Sequence, residues 1–236
     1  MQHYQKNRIL IIPAGTSNVY LIKNGKNSVL IDAGNKNKGP KILNYLIKHG
    51  VEPTDIILIV ITHCHYDHVG SLNYLKEKTG ADVLVHKKEE KNLRNGYKML
   101  PDGTGLIPKV IVWIGRRFFS SMGNFVPVEP DIIINKRFDP ETEGINYYVT
   151  PTPGHTEGSI SLILENEIAF VGDTAFNVMK RSIYPPFADN QKVLLDSWEF
   201  LLQTKVKYIY PGHGKPFKRE RLYLNYEKAR RKIIID

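Results

Sequence analysis

"VITHCHYDHVG" (residues 60–70) follows directly on the apolar run Ile56–Ile61 and sets three histidines, an aspartate and the chain's only cysteine within six positions. An apolar run without alternation, such as "DIILIVI" (55–61), reads as a fully buried strand, so the donors begin where that strand ends. His63, His65, Asp67 and His68 carry the nitrogen and oxygen ligands that suit zinc and its neighbours. With Cys64 the single thiol, an intramolecular disulfide is impossible and a zinc site built from several thiolates is excluded.

Two further turns hold the remaining histidines of interest, His155 in "TPGHTEGS" (152–159) and His213 in "YPGHGKPF" (210–217). Five of the eight histidines thus fall in three short Gly/Pro-associated turns. Asp173, in "FVGDTAF" (170–176), also ends an apolar strand. Placed at strand ends, these side chains can converge on one edge of a sandwich. Seven candidate ligands exceed the about four of a tetrahedral zinc, which implies two metals.

Outward from these turns, β-type segments and helical spacing alternate. "RILIIP" (8–13) precedes "NVYLIKNGKNSVLIDAG" (18–34), where "NGKN" between two apolar runs reads as a hairpin turn. Ile42, Leu43, Leu46 and Ile47 have helical spacing over 40–49, with Gly50 as the C-terminal cap. A second helix is expected from about Val69 to Lys78, stopped by Gly80, before the strand "ADVLVH" (81–86). Then come a strand in "INYYVTPTPGH" (145–155), the pair in "SISLILENEIAFVGDT" (159–174), a helix over Gln191–Gln203, the strand "VKYIYPGHG" (206–214) and a basic C-terminal helix. The 159–174 segment echoes 18–34, two apolar runs around a polar turn ending in Gly-Asp173-Thr and Asp32-Ala-Gly respectively, which suggests two related halves.

Tight turns between adjacent apolar runs argue for hairpins rather than a purely parallel sheet. The economical architecture is a single domain over 1–236, an α/β chain of two mixed, largely antiparallel sheets packed face to face with helices outside. Residues 87–130 interrupt this rhythm as an insertion, with Ile107, Val110, Ile111, Ile114 and Phe118 spaced for one helical face. The main reading is a helix burying that face on the body; the alternative is a lid or pocket wall for an apolar substrate.

Hydrophobic content of 42% and charged content of 24% belong to an ordinary globular chain, and no apolar run approaches the ~18 residues of a membrane span. "MQHYQKNRILIIPAG" (1–15) does not read as a secretory signal, so a cytoplasmic location is expected. A net charge of +9 raises nucleic acid, anionic lipid or an acidic substrate as partners. The basic stretch "KPFKRERLYLNYEKARRK" (215–232) is read as a solvated helix face.

As a set, these motifs resemble the metallo-β-lactamase superfamily, whose His-x-His-x-Asp-His signature is met by His63, His65, Asp67 and His68, with His155, Asp173 and His213 at its later ligand positions. The resemblance implies a four-layer αβ/βα sandwich and two divalent metal ions, Zn2+ first, with Fe or Mn as alternatives. It assigns His63, His65 and His155 to one metal, Asp67, His68 and His213 to the other, and Asp173 as the bridge. The function it implies is a hydrolase that uses a metal-bridging hydroxide on an ester, thioester or lactone. Asp67 is the catalytic candidate, as ligand and proton acceptor or donor. Asp32 is weighed as a partner orienting a histidine and as a turn-capping residue, and stays outside the assigned site. Cys64 is read as a small buried residue; His3, His49 and His86 as surface or structural.

Asp173 stands at the position from which a cysteine ligates the second metal in some true β-lactamases of the family, which points away from antibiotic hydrolysis. Glyoxalase II-like relatives carry a long C-terminal helical extension, whereas 23 residues follow His213 here. Lactonase-like relatives would have a tyrosine shortly after the bridging aspartate; here Phe176 stands there and Tyr184 is the nearest substitute. A small-molecule substrate, apolar or anionic, is expected. The alternatives are a phosphodiesterase or ribonuclease-like hydrolase acting on nucleic acid, a non-catalytic metal-binding or sensing module, and an iron-dependent oxygenase. Nothing in the sequence fixes an oligomeric state.

Overall fold

The computed structural model describes residues 8–99, 101–118 and 123–233, which fall into two compact units. His3 lies outside the described residues. The first unit comprises Met1–Lys98, Gly123–Asn135 and Pro140–Asn146. Its sheet runs in chain order: β1 (Ile9–Pro13), β2 (Asn18–Ile22), β3 (Ser28–Ile31), β4 (Ile56–Val60), β5 (Asp82–His86) and β6 (Ile132–Ile134). The pairings from β1 to β3 are antiparallel, and those from β3 to β6 parallel. β2 and β3 form the hairpin expected from "NGKN", with the amide of Asn27 donating to the Asn24 carbonyl at 3.0 Å.

Helix α1 (Gly39–Lys48) opens with proline in its first turn, where the missing N–H costs no hydrogen bond. It buries Ile42, Leu43 and Leu46 in the first core beside Val19, Leu21, Leu30, Ile59 and Val83. Gly50 follows it with φ +70°, as a helix stop requires.

The single helix expected over 69–78 is instead two, a one-turn α2 (Tyr66–Val69) and α3 (Leu72–Thr79). The break has a physical cause at Gly70 and Ser71. A Cβ on Gly70 would stand 2.3 Å from the backbone nitrogen of Lys36, so the chain runs flush against the 35–36 loop. Ser71 Oγ accepts from the amides of Lys38 and Gly39, each at 2.9 Å, and donates to the Asn35 carbonyl at 2.6 Å. Those long-range bonds hold the segment where a continuous helix would not reach. Helix α4 (Lys87–Asn95) follows β5 directly, capped by His86 Nδ1, which accepts from the Lys88 amide at 3.2 Å. His86 is therefore structural, as expected.

The second unit comprises Met99–Met122, Lys136–Asp139 and Tyr147–Asp236. Its sheet has the order β11-β10-β9-β8-β7, from β7 (Tyr147–Pro151), β8 (Ile160–Leu164), β9 (Ile168–Asn177), β10 (Tyr208–Gly214) and β11 (Phe217–Lys218). β9 and β10 pair in parallel and the others antiparallel. β8 is buried at every position, the pattern of a strand covered on both faces.

Among the described residues this unit has the helices α5 (Leu106–Phe118), α6 (Gln191–Gln203) and α7 (Arg219–Ile233). Helix α6 has the bounds its spacing predicts, because Asn190 caps it by accepting the Val193 amide at 3.1 Å. Its Trp198 is fully buried among Ile163, Val171, Leu201, Ile209 and Leu222. Among the described side chains of α5, the expected face is not buried. Ile107, Val110 and Ile114 are 75%, 57% and 40% exposed, and the inward residue is Val112. The side chains of Ile111 and Phe118 lie outside what the structure describes. The spacing groups Ile107, Val110 and Ile114 on one face as read, but that face is exposed and Val112 is buried.

Candidate metal centre

In the first unit, β4 delivers the chain to Thr62, and His63, His65, Asp67 and His68 follow within a buried turn and α2. His65 sits just before α2 in extended backbone, and Asp67 and His68 lie within it. The His63 ring lies edge-on to His65 at 4.6 Å between centroids and tilted to His68 at 4.1 Å. Three imidazoles at that separation in the interior need a reason beyond packing.

His63 and His68 are held from behind. Asp32, buried at the end of β3, places Oδ2 2.7 Å from His68 Nδ1. Its Oδ1 accepts from the Thr62 amide at 2.8 Å, and the Thr62 hydroxyl lies 2.8 Å from Oδ2. That hydroxyl is also 3.1 Å from His63 Nδ1. Asp32 adopts φ 61°, a left-handed conformation that turns the chain out of the strand and aims the carboxylate at these partners. Of the two roles weighed for Asp32, the structure gives the histidine-orienting one.

Asp67 is fixed by residues the sequence did not single out. Thr16 Oγ1 donates to Asp67 Oδ2 at 3.1 Å, and Ser17 Oγ donates to the Asp67 carbonyl at 2.5 Å. The only signal was a polar "TS" just before β2, which any turn shows.

Cys64 is fully buried, and its sulfur lies 3.8 Å from the Glu89 carbonyl. Burial first, and then the Glu89 carboxylate, push its thiol well above the ordinary range. A neutral, buried thiol is the small-residue role expected of it. Glu89 is itself buried and paired with Lys98 Nζ at 2.7 Å.

In the second unit, His155 lies in the turn after β7, Asp173 within β9 and His213 within β10. All three are buried. Asp173 Oδ2 stands 3.7 Å from His155 Nε2 and 3.4 Å from His213 Nε2. Ligand atoms around one tetrahedral zinc stand roughly 3.3 Å apart at ordinary bond lengths, so each of the two pairs is spaced to share a cation. Phe176 pairs with His213 across β9–β10, its ring 4.4 Å away. Phe176 therefore packs on His213 and offers no hydroxyl of the kind a lactonase-type tyrosine would. Tyr184 donates to Gln191 Oε1 at 3.2 Å, and burial pushes its phenol up to about 12.

His155 is mounted rigidly. Its Nδ1 lies 2.8 Å from the Phe187 carbonyl, and its own carbonyl accepts from the Asp189 amide at 3.1 Å. Gly154 has φ +128°, and a Cβ there would come within 2.3 Å of the Leu194 nitrogen, so the turn lies directly on the start of α6. Behind Asp173, the Trp198 indole donates to the Thr174 carbonyl at 2.5 Å.

The donor chemistry of both units suits metal ions. His63, His68 and His155 each have Nδ1 against a hydroxyl, carboxylate or carbonyl oxygen, the arrangement that fixes a tautomer and turns Nε2 toward a cation. His49 differs. It is exposed, stacked on Tyr45 at 4.2 Å, with Nδ1 on the Tyr45 carbonyl.

Comparison with known proteins agrees. The chain is 30% identical to a probable metallo-hydrolase of Methanocaldococcus jannaschii over 205 residues, 85% of this chain and 88% of that protein. It is 28% identical to an acyl-coenzyme A thioesterase of Gallus gallus, over 88% of this chain and 76% of that protein. Among solved structures, an archaeal metallo-beta-lactamase superfamily protein from Sulfolobus tokodaii matches with a TM-score of 0.68 and 24% identity, over 93% of this chain and 85% of that one. Its fold class is the expected α/β sandwich of two mixed sheets with helices. The family model for the metallo-beta-lactamase superfamily spans residues 12–213, from β1 to the last candidate ligand. With the motifs at 63–68, 155, 173 and 213 all inside that span, the chain belongs to the metallo-beta-lactamase superfamily.

Proposed function

We propose that the chain is a dinuclear metal hydrolase acting on an ester, thioester or lactone, with a thioester as the favoured substrate. The observation that carries the reading is the donor chemistry. The first unit buries His63, His65, Asp67 and His68, and the second buries His155, Asp173 and His213, nitrogen and oxygen donors that suit divalent cations. In this reading His63, His65 and His155 hold one cation, Asp67, His68 and His213 the other, and Asp173 serves both. A buried carboxylate costs several kcal/mol unless a positive charge offsets it, and Asp67 and Asp173 are both buried. Divalent cations, zinc first, would lower the pKa of a shared water from 15.7 to about 7 and polarise the substrate carbonyl.

The chain's own residues then orient and move protons. Asp67, its Oδ2 bonded by Thr16, would take the proton released during attack and return it to the leaving group. Asp32 holds His68 in one tautomer through all stages. The thioester preference rests on the likeness to an acyl-coenzyme A thioesterase and on Phe176, an apolar residue beside His213.

The test is metal analysis of protein purified without added metal, followed by a panel of acyl thioesters, lactones and phosphodiesters. The expected result is about two ions per chain, with thioester turnover that a chelator abolishes and zinc restores. Chelator-insensitive turnover, or activity confined to phosphodiesters, would overturn the reading.

A further inference from the structure

Helix α5 presents its apolar side outward. Leu106, Ile107, Val110, Trp113 and Ile114 are 84%, 75%, 57%, 66% and 40% exposed, whereas Val112 is buried. At about 100° per residue the five exposed side chains fall within a stripe of roughly 120°, with Val112 on the opposite side. Amphipathic helices of globular proteins are mounted the other way round.

The charge of the helix narrows what covers the stripe. Its sequence, LIPKVIVWIGRRF, holds three basic residues and no acidic one, on a chain of net charge +9. Lys109 and Arg117 are exposed on it. A second copy of the chain would bring like charge to like charge. A stripe of five side chains also falls short of the ~800 Å² that each partner of a stable complex buries. Nucleic acid would meet the basic residues but leave the apolar stripe in water. A tryptophan and branched aliphatic residues beside basic ones on a short helix match the boundary between headgroups and acyl chains. No helix among the described residues is long and apolar enough to cross a membrane, so such a helix would lie on the surface.

We propose that α5 docks on an anionic lipid bilayer, with Leu106, Ile107, Val110, Trp113 and Ile114 entering the headgroup boundary and the exposed Lys109 and Arg117 meeting the lipid phosphates. The inference does not depend on the hydrolase reading, because nothing in it uses the donor residues.

The full chain is mixed with phosphatidylcholine vesicles with and without phosphatidylglycerol, and binding is read by co-sedimentation and tryptophan emission. Trp113 is exposed and Trp198 buried, so a blue shift on binding comes from Trp113 and disappears in Trp113→Phe. Binding is expected only with the anionic vesicles, weakening as salt rises, because screening shortens the reach of the basic residues. Lys109→Gln should weaken it about fivefold. Ile107→Glu combined with Val110→Glu should abolish it while leaving the melting temperature unchanged, since both residues are exposed. The proposal is overturned if anionic vesicles do not bind the chain. A concentration-dependent dimer abolished by the same double variant would assign the stripe to a second copy instead. Binding that survives the double variant, or is equal on uncharged vesicles, also overturns it.

Discussion

The hairpins β2–β3 and β8–β9 are built alike, yet their aspartates do different work. Asp32 leaves β3 with a left-handed backbone, and its two oxygens are taken up by Thr62 and His68. Asp173 stays in β9, which runs on to Asn177, and one of its oxygens stands 3.7 and 3.4 Å from two imidazole nitrogens. One carboxylate braces an imidazole; the other, on the proposed assignment, is itself a metal ligand. The neighbours decide this: Thr62 supplies both a backbone and a hydroxyl donor to Asp32, which turns that carboxylate into a bracket for His68.

The contrast can be broken by substitution. On the proposed assignment Asp173→Asn has the largest effect, with fewer than two ions retained and hydrolysis down by more than the about 100-fold that marks loss of a residue behind a ligand. Elemental analysis and initial rates check it. Asp32→Asn keeps the shape and removes the charge facing His68; chelator competition should show metal retention weakened about 10–100-fold. If the two variants prove equally damaging, the hairpins do the same job and the distinction fails.

Behind the second hairpin, Trp198→Phe deletes the indole bond to the Thr174 carbonyl and leaves a space, at a cost of about 2 kcal/mol in urea unfolding. The smallest effect sharpens the first hairpin's side. Thr16→Val removes the hydroxyl from Asp67 Oδ2 and should slow turnover about fivefold, equivalent to ~1 kcal/mol, without changing metal content. Loss of metal in that variant would mean Thr16 shapes the ligand set rather than proton transfer.

What the sequence revealed was local in character. His63, His65, Asp67 and His68 lie together because they are adjacent in the chain, and the hairpin echo is visible because each copy is continuous. The bounds of α6 were legible from a continuous stretch of chain, and the structure adds that Asn190 caps its start. Long-range partners were not legible. Ser71 interrupts a helix by bonding to residues 35–39, and Thr16 reaches Asp67 across 51 positions. Periodicity found the apolar face of α5 but carries no sign telling inward from outward, so Ile107 and Val110 were expected in a core they do not enter.

The contact at Gly154 has a mechanical consequence. A turn lying flush on the first residues of a helix has no slack, so the imidazole it carries shifts only when that helix shifts. Loosening that starts at the α6 end nearest Asn190 would reach His155 at once, and the second unit would lose a donor while its strands were still paired.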